Sequence, residues 1–456
     1  MEQPLKYLEK LKNHDWLIGD DSQEFYKIAT ELYLQLTQLS KINKPPKIIL
    51  AEREPVRFLA SFIAACAAKC PVFLCNPDWG KNEWEEVFNL VQPDLVWGLG
   101  TGDWGLVTRK NNLSPLSPIE NWIMIPTGGS SGKIKFAIHT WETLTASVQG
   151  FTEYFQLNSV NSFCILPLYH VSGLMQFMRS FTTGGKLVVT QFKKIEYSII
   201  PNIKPSDFFI SLVPTQLQRL LQNPELTKWL SQFQTVLLGG APTWEELLEK
   251  ARFHRIRLAP TYGMTETASQ IATLKPNDFL KGKNNSGQIL PHAKITIDNF
   301  TGNLNLQAKS LALGYYPQLW ETPDNFSVDD IGFLDADGYL HIIGRSSNKI
   351  ISGGENIYPI EIEAAMRKTN LIIDVCVIGI PDKYWGQALT AIYIPKHPNV
   401  SSLEIETQLK TQLSKFKIPK YWIPIDKLPR NAQGKINRQQ VQQIALDFLD
   451  NSTLNS

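Results

Sequence analysis

Several short stretches concentrate side chains that could handle phosphate. "IPTGGSSGKIKFA" (125–137) sets Gly128, Gly129 and Gly132 among the hydroxyls of Thr127, Ser130 and Ser131, with Lys133 and Lys135 close behind. Glycines let a backbone approach a ligand closely and adopt φ > 0, and successive N–H groups can then cup phosphate oxygens. A Walker loop would need Gly at 127 and Ser or Thr at 134; this chain has Thr127 and Ile134. The stretch therefore reads either as a different phosphate cradle or as a flexible turn. "TYGMTETAS" (261–269) follows an apolar run and gathers Tyr262, Gly263, Met264, Thr265 and Glu266. Glu266 could ligate Mg²⁺, Thr265 could contact a phosphate and Tyr262 could stack on a base; the plain alternative is a helix cap read from "TETA".

Other segments offer complementary groups. "LLGGAP" (237–242) ends a buried strand with Gly239, Gly240 and Ala241, bare backbone on which a planar ring can lie. "VDDIGFLDADGYLHIIGR" carries Asp330 and Arg345. A carboxylate can accept both hydroxyls of a ribose and an arginine fork can reach the sugar or a phosphate, although both residues could equally be surface charges on a hairpin. "LPLYHVSG" (166–173) puts His170 at the end of an apolar strand, where ligands gather in parallel α/β sheets, though a lone histidine there is also a common structural group. Near the carboxy-terminus, "NAQGKINRQQ" (431–440) places Lys435 in a Gly-containing turn that opens a helix.

Positioning such groups requires a scaffold, and the pattern supplies one. Between 47 and 98, "KIILA", "PVRFLASFIAACAAK", "PVFLC", "NEWEEVFNLV" and "DLVWGL" alternate short apolar strands with helices, which implies βαβ units and a parallel sheet. The theme recurs from "FCILPLYHVSGLMQFMRSF" to "TVLLGGAPTWEELLEKARF". Past 285 the texture turns to strands and tight turns, with Asp-Gly in "DADGYL" marking a hairpin. After Arg345 a Ser/Gly-rich bridge leads into a self-contained pattern. It has a helix over 359–369, strands over 372–380 and 388–395, and a helix with Ile405, Leu409, Leu413 and Phe416 on one face. A strand and a last helix with Val441, Ile444, Ala445 and Phe448 on one face complete it. The expectation is an α/β protein: a large N-terminal domain of several subdomains with parallel sheets (1–346), then a small, mobile α+β lid (347–456) carrying Lys435.

The bulk numbers exclude several classes. The 456 residues hold 45 Lys+Arg against 43 Asp+Glu, so no nucleic-acid surface is expected, and the longest apolar run is broken by Lys69 and Pro71, so no membrane span is expected. The first twenty residues lack the apolar core of a secretory signal. Five cysteines without a CxxC pair suit a reducing, cytoplasmic setting. Cys66, Cys70 and Cys75 read as buried thiols rather than metal ligands, since no histidine stands nearby.

In this order and spacing the segments resemble the acyl-adenylating enzyme superfamily, over nearly the whole chain from about 45 to 440. The strongest parts are "YGMTET", "GYLHIIGR", "IISGGENIYPIEIE" and "PRNAQGKI". Within it, "PLYHVSG", "VPTQLQRLL" and "YGMTETASQIATL" are most similar to the o-succinylbenzoate–CoA ligases of quinone biosynthesis. The resemblance implies two half-reactions using ATP, Mg²⁺ and coenzyme A. A carboxylate attacks the α-phosphorus to give acyl-adenylate and pyrophosphate; the lid then turns and the CoA thiol releases AMP.

The resemblance also implies roles. Thr127, Gly128, Gly129, Ser130, Ser131, Gly132 and Lys133 would hold the β- and γ-phosphates. Gly239, Gly240, Ala241 and Tyr262 would frame adenine, Thr265 would touch the α-phosphate, Glu266 would ligate Mg²⁺, and Asp330 would bind the ribose beside Arg345. His170, Gly263, Met264, Ser269 and Gln270 would line the acyl pocket, and Gly353 and Gly354 the pantetheine channel. Lys435 would offset the repulsion between carboxylate and phosphate during adenylation and leave with the lid afterwards. Arg179, Lys186 and Arg219 are candidates to pair a second substrate carboxylate. Three positions depart from the pattern: Gly128, Ile134 and Phe136 stand for Ser, Pro and Gly; Val328–Asp329 for Thr-Gly; and Ser347 for Asp at the hinge. A ligase for another aryl or medium-chain acid, or a nucleotide-binding protein without turnover, are the competing readings. Homo-oligomerisation is left open.

Overall fold

The computed structural model describes residues 3–42, 44–99, 105–106, 121–128, 134–322, 325–352, 355–382, 384–430 and 434–453. Gly129, Ser130, Ser131, Gly132 and Lys133 of the glycine-rich stretch, and Gly353 and Gly354, lie outside the described residues.

Among the described residues four sheets form. The first takes the order Gln318–Leu319, Gly314–Tyr315, Ile134–His139, Ile123–Gly128, Val72–Leu74, Ile48–Leu50, Leu95–Trp97, Gly105–Leu106, with parallel central strands. The second runs Gln288–Ile289, Ser269–Thr273, Leu258–Met264, Thr235–Leu238, Phe209–Leu212, Ser162–Cys164, Leu187–Val189, parallel from Leu258–Met264 onward. Strand alternation dictates how they stack. Ile48 and Leu50 share one core with Cys164 and Leu187 of the second sheet and with the helices Ser22–Ile42, Pro55–Ala67 and Val171–Thr183. Ile49 and Phe73 turn to the opposite face, against Val87 of the helix Lys81–Val91. In the second sheet Ile210 and Val236 pack outward while Phe209 and Leu237 pack inward. Both sheets are thus buried on both faces, which is why their strands read as continuous apolar runs.

A four-stranded antiparallel sheet follows, from Ala293–Ile297 and Asn303–Ala308 to Phe326–Leu334 and Leu340–Arg345. The last pair turns at the expected Asp-Gly, where Gly338 has φ 77° and its N–H donates to the Asp335 carbonyl at 3.0 Å. Beyond Arg345 a single 3₁₀ turn, Ser346–Asn348, joins a separate sheet built from Ile350–Ser352, Glu355–Ile357, Ile372–Asp382, Gly386–Pro395 and Tyr421–Pro424. Val375 and Val377 face the helices Pro359–Lys368 and Ser402–Leu409, while Cys376 and Ile378 face Arg438–Thr453.

Three local expectations are corrected. The helix carrying Ile405 and Leu409 ends at Leu409; extended backbone at Ser414 (ψ 151°) breaks the continuation, and Phe416 sits exposed in a separate turn. The last helix buries Val441 and Ala445 and leans on Leu449, leaving Phe448 exposed, because the contact runs along an i, i+4, i+8 line. His170 does not end a strand: Ser162–Cys164 stops six residues earlier, and His170 is the N-cap residue of Val171–Thr183.

Candidate active site

"TYGM" is the end of the strand Leu258–Met264, and "TET" is a 3₁₀ turn, Thr265–Thr267, before the antiparallel strand Ser269–Thr273. The helix-cap alternative is therefore excluded. The turn bends through two consecutive non-glycine residues in left-handed conformation, Ala268 (φ 48°) and Ser269 (φ 93°). Such strain persists where the surroundings over-determine it. Here the turn's carbonyls are held from outside. His139 Nε2 lies 2.8 Å from the Thr265 carbonyl, Ser310 Oγ donates to Thr267 at 2.9 Å, and Ser147 Oγ donates to Ala268 at 2.6 Å. Burial pushes the His139 pKa down to about 4, so the ring is neutral near pH 7. Its Nε2–H then donates to Thr265, while Nδ1 meets the Thr143 hydroxyl at 3.0 Å. Gly263 is needed for the hairpin's close pass, since a Cβ there would lie 2.2 Å from the Ser269 carbonyl oxygen.

Glu266 is buried, and the Tyr315 hydroxyl donates to its Oε1 at 2.6 Å. Burial, then the Glu266 charge, drive the Tyr315 pKa up, which keeps that proton in place. Thr127 and Gly128 pair with Lys135 and Ile134 in the first sheet, and the Lys135 ammonium sits 5.3 Å from the Tyr315 ring centre. Lys135 of the glycine-rich stretch and Glu266 thus meet at one tyrosine.

Asp330 and Arg345 face each other across the antiparallel pair. The buried Asp330 carboxylate accepts from Arg345 Nε at 2.8 Å on one oxygen and from the Tyr262 hydroxyl at 2.8 Å on the other. Burial, then Asp330, raise the Tyr262 pKa. They are not independent surface charges. Gly239 and Gly240 follow Thr235–Leu238 at the sheet's carboxyl edge; a Cβ on Gly239 would lie 2.5 Å from Thr261 Oγ1, and Gly240 has φ 83°. The preceding aspartate faces the interdomain bridge instead, where both Asp329 carboxylate oxygens accept the Ser347 N–H, at 3.1 and 3.0 Å.

Lys435 reaches the same cleft. Its turn is closed by an Arg430–Ile436 bridge and by the Asn437 N–H to the Pro429 carbonyl at 2.9 Å. Gly434 (φ 76°) lies close to the large domain: a Cβ there would stand 3.5 Å from Thr215 Oγ1 and 3.9 Å from Val213 Cγ2. Lys435 is exposed as a residue, yet the protein around its ammonium is felt: desolvation and then Arg345 lower its pKa, while Glu266 and Asp330 oppose the shift. His170, whose ring lies 4.5 Å from that of Tyr169 and is tilted 56° to it, has its pKa depressed to about 3 by burial and then by Lys435.

Of the three cations considered for a second carboxylate, Arg219 is ion-paired to Glu196 at 2.7 Å and Lys186 is exposed. Arg179 is buried. Its Nη2 donates to Gln270 Oε1 at 2.8 Å and to Ser269 Oγ at 3.1 Å, its guanidinium lies 4.2 Å from the Phe151 ring centre, and its Nε has no partner. Among the described residues no carboxylate lies within ion-pair distance of it. Desolvation lowers its pKa to about 9, which leaves it charged at neutral pH. Sequence reasoning missed His139, Tyr315 and Ser147; they act through folded contacts with segments more than 45 residues away.

No group of three or more His, Cys, Asp or Glu side chains comes together among the described residues. Glu266 offers a single buried carboxylate, a donor of the kind by which Mg²⁺ is held together with substrate phosphates and water.

Comparison with known proteins follows the same lines. A model of the AMP-binding enzyme family matches residues 100–316, and one of the AMP-binding enzyme C-terminal domain matches residues 361–435. The chain is similar to the 2-succinylbenzoate–CoA ligase of Listeria monocytogenes, with 36% identity over 326 residues, 70% of this chain and 68% of that one. Among solved structures, the Bacillus subtilis o-succinylbenzoate CoA synthetase with its acyl-adenylate intermediate gives a TM-score of 0.78 at 24% identity, covering 96% of this chain and 97% of the other. The same enzyme with ATP and magnesium ion gives 0.79 at 22%, covering 95% and 98%. At these identities the structures show a shared fold.

Proposed function

Because this chain belongs to the AMP-binding enzyme family, we infer that it is an ATP-dependent acid–CoA ligase that forms o-succinylbenzoyl-CoA from o-succinylbenzoate through an acyl-adenylate. Its relatives are ligases of that name, and its fold is that of a synthetase bound to ATP and magnesium ion. The product places it in menaquinone or phylloquinone biosynthesis.

The observation that carries the reading is a polar cluster drawn from distant parts of the chain: Asp330 holds Arg345 and Tyr262, Tyr315 holds Glu266, and the turn that carries Lys435 lies beside Val213 and Thr215. In this assignment Asp330 and Arg345 hold the ribose, and Gly239, Gly240, Ala241 and Tyr262 frame adenine. Thr127 to Lys133 take the outer phosphates, and Thr265 takes the α-phosphate. Glu266 would hold Mg²⁺, which screens the phosphate oxygens. The ammonium of Lys435 offsets the repulsion between the incoming carboxylate and the α-phosphate and the charge that grows as the bond forms. His170, kept neutral, walls the acyl pocket with Gly263, Met264, Ser269 and Gln270 without repelling that ammonium. Arg179 meets the aromatic carboxylate, and the attraction between the paired charges offsets the cost of desolvating them. Gly353 and Gly354 border the pantetheine channel when the lid, residues 347–456, turns on the body, residues 1–346.

All five cysteines are free, which supports a reducing cytoplasm, and no helix among the described residues is long and apolar enough to cross a membrane. The test is a panel of acids with pyrophosphate, AMP and acyl-CoA all measured. o-Succinylbenzoate should release pyrophosphate and, with CoA, yield thioester. Turnover confined to another acid overturns the substrate; ATP binding without acid-dependent pyrophosphate release overturns the enzyme.

A further inference from the structure

Away from the cleft, a line of charged side chains runs from the body to the catalytic turn. It begins at Trp244 and Glu245, where the body helix Glu245–Phe253 opens. The lid helix Pro359–Lys368 ends against this corner. Lys368 Nζ lies 2.6 Å from Glu245 Oε2, and the Arg367 guanidinium lies 5.1 Å from the Trp244 ring centre. Arg367 Nη2 also holds Asp374 Oδ1 and the Val375 carbonyl, each at 3.1 Å. The other Asp374 oxygen takes Arg430 Nη2, and the remaining arm of Arg430, Nη1, donates to the Gly434 carbonyl. That carbonyl belongs to the peptide joining Gly434 to Lys435.

We propose that Asp374 and Arg430 are positioning residues that aim Lys435 for acyl-adenylate formation, and that the Trp244–Glu245 corner is the dock that engages them when the lid is closed. The proposal rests on reading Lys435 as the adenylation cation. Gly434 has the widest backbone freedom of any residue type, so the peptide before Lys435 needs an external restraint. A planar guanidinium with both arms engaged supplies one, because turning the peptide would break a charge-assisted bond at each end. Asp374 is four-fifths buried, which strengthens both of its ion pairs relative to surface ones. The dock is different. Lys368 and Glu245 remain nearly half exposed, so their pair is weak, and one cation resting on the partly buried Trp244 indole adds little more. A weak dock joined to a firm relay suits a lid that must fix its lysine in one step and release the body in the next.

The experiment separates the two half-reactions: pyrophosphate release with acid and ATP, and thioester formation from supplied acyl-adenylate and CoA. Asp374→Asn should slow the first about 10-fold or more and leave the second within about 2-fold. Glu245→Lys should slow the first about 3- to 10-fold, and the exchange Glu245→Lys with Lys368→Glu should restore it. A relay that is only part of the lid's core predicts equal loss in both half-reactions with a lower melting temperature, which would overturn the proposal. So would an exchange that fails to rescue, or an Asp374→Asn protein with normal adenylation. Lys435→Ala in parallel keeps the premises apart: if it too adenylates normally, the reading of Lys435 falls, whereas its loss beside a normal Asp374→Asn protein sinks the relay alone.

Discussion

Replacing Arg179 by methionine should separate stability from activity. The guanidinium is buried, and desolvation takes its pKa from the ordinary 12.5 to about 9. That difference is ~5 kcal/mol against the charged form in the unliganded protein. Methionine removes this cost and fills most of the volume, but it abandons the bonds to Gln270 and Ser269, each worth ~1.5–3 kcal/mol for a charged donor. The terms nearly cancel, so the folding free energy should stay within ~2 kcal/mol of wild type, unusually mild for a buried arginine. Activity should not be spared. A substrate carboxylate facing the site would lose its buried cation, and breaking such a pair costs ~3–4 kcal/mol, or ~10²- to 10³-fold in kcat/KM for o-succinylbenzoate. The assay is continuous pyrophosphate release with that diacid and with 4-oxo-4-phenylbutanoate, which lacks the ring carboxylate. Activity toward the monoacid should change less than ~3-fold or improve. Equal loss for both acids, or a collapse in the urea midpoint, would refute the assignment.

Lys435→Ala should cut adenylation by ~10²-fold or more, while thioester formation from supplied acyl-adenylate persists; equal losses would make the lysine structural. His139, His170 and His292 have pKa values depressed to about 4, 3 and 4, chiefly by burial. Depressed folded values mean that stability is complete above the unfolded value near 6.5 and declines as pH falls from there toward 4, by up to ~1.4 kcal/mol per pH unit for each histidine. Urea midpoints between pH 7 and 5 check this, and His139→Gln should flatten the slope. Asp329→Ala removes the acceptor of the Ser347 N–H, so the ratio of the two half-reaction rates should shift ~3- to 10-fold while the ATP KM holds; an unchanged ratio would mean the contact is incidental.

Much of the architecture was legible because it is written in short-range pattern. Apolar runs such as "KIILA" and "PVFLC" could hardly be anything but strands buried on both faces, and Asp-Gly marked its hairpin. The site was legible only where one segment carries the chemistry by itself, as Tyr262 to Glu266 do. Arg179 looked no different from Lys186 and Arg219, since burial and the absence of a nearby acid are properties of the folded neighbourhood. Tyr315 and His139 were invisible for the same reason: each matters through one contact across 49 or 126 residues. The helix expected to run through Phe416 was misread because periodicity records apolar spacing and says nothing of the extended residue at Ser414 that interrupts it.

Asp329 and Asp330 are neighbours on one strand, the first exposed toward the pivot and the second buried toward the nucleotide cleft. Because successive residues of a strand emerge on opposite sides, adding or deleting one residue upstream would exchange the two acids, leaving the pivot without its acceptor and the cleft with the wrong geometry. Length changes in this segment should therefore survive in descendants of this chain only as pairs, a footprint that sequencing of engineered insertion libraries would reveal.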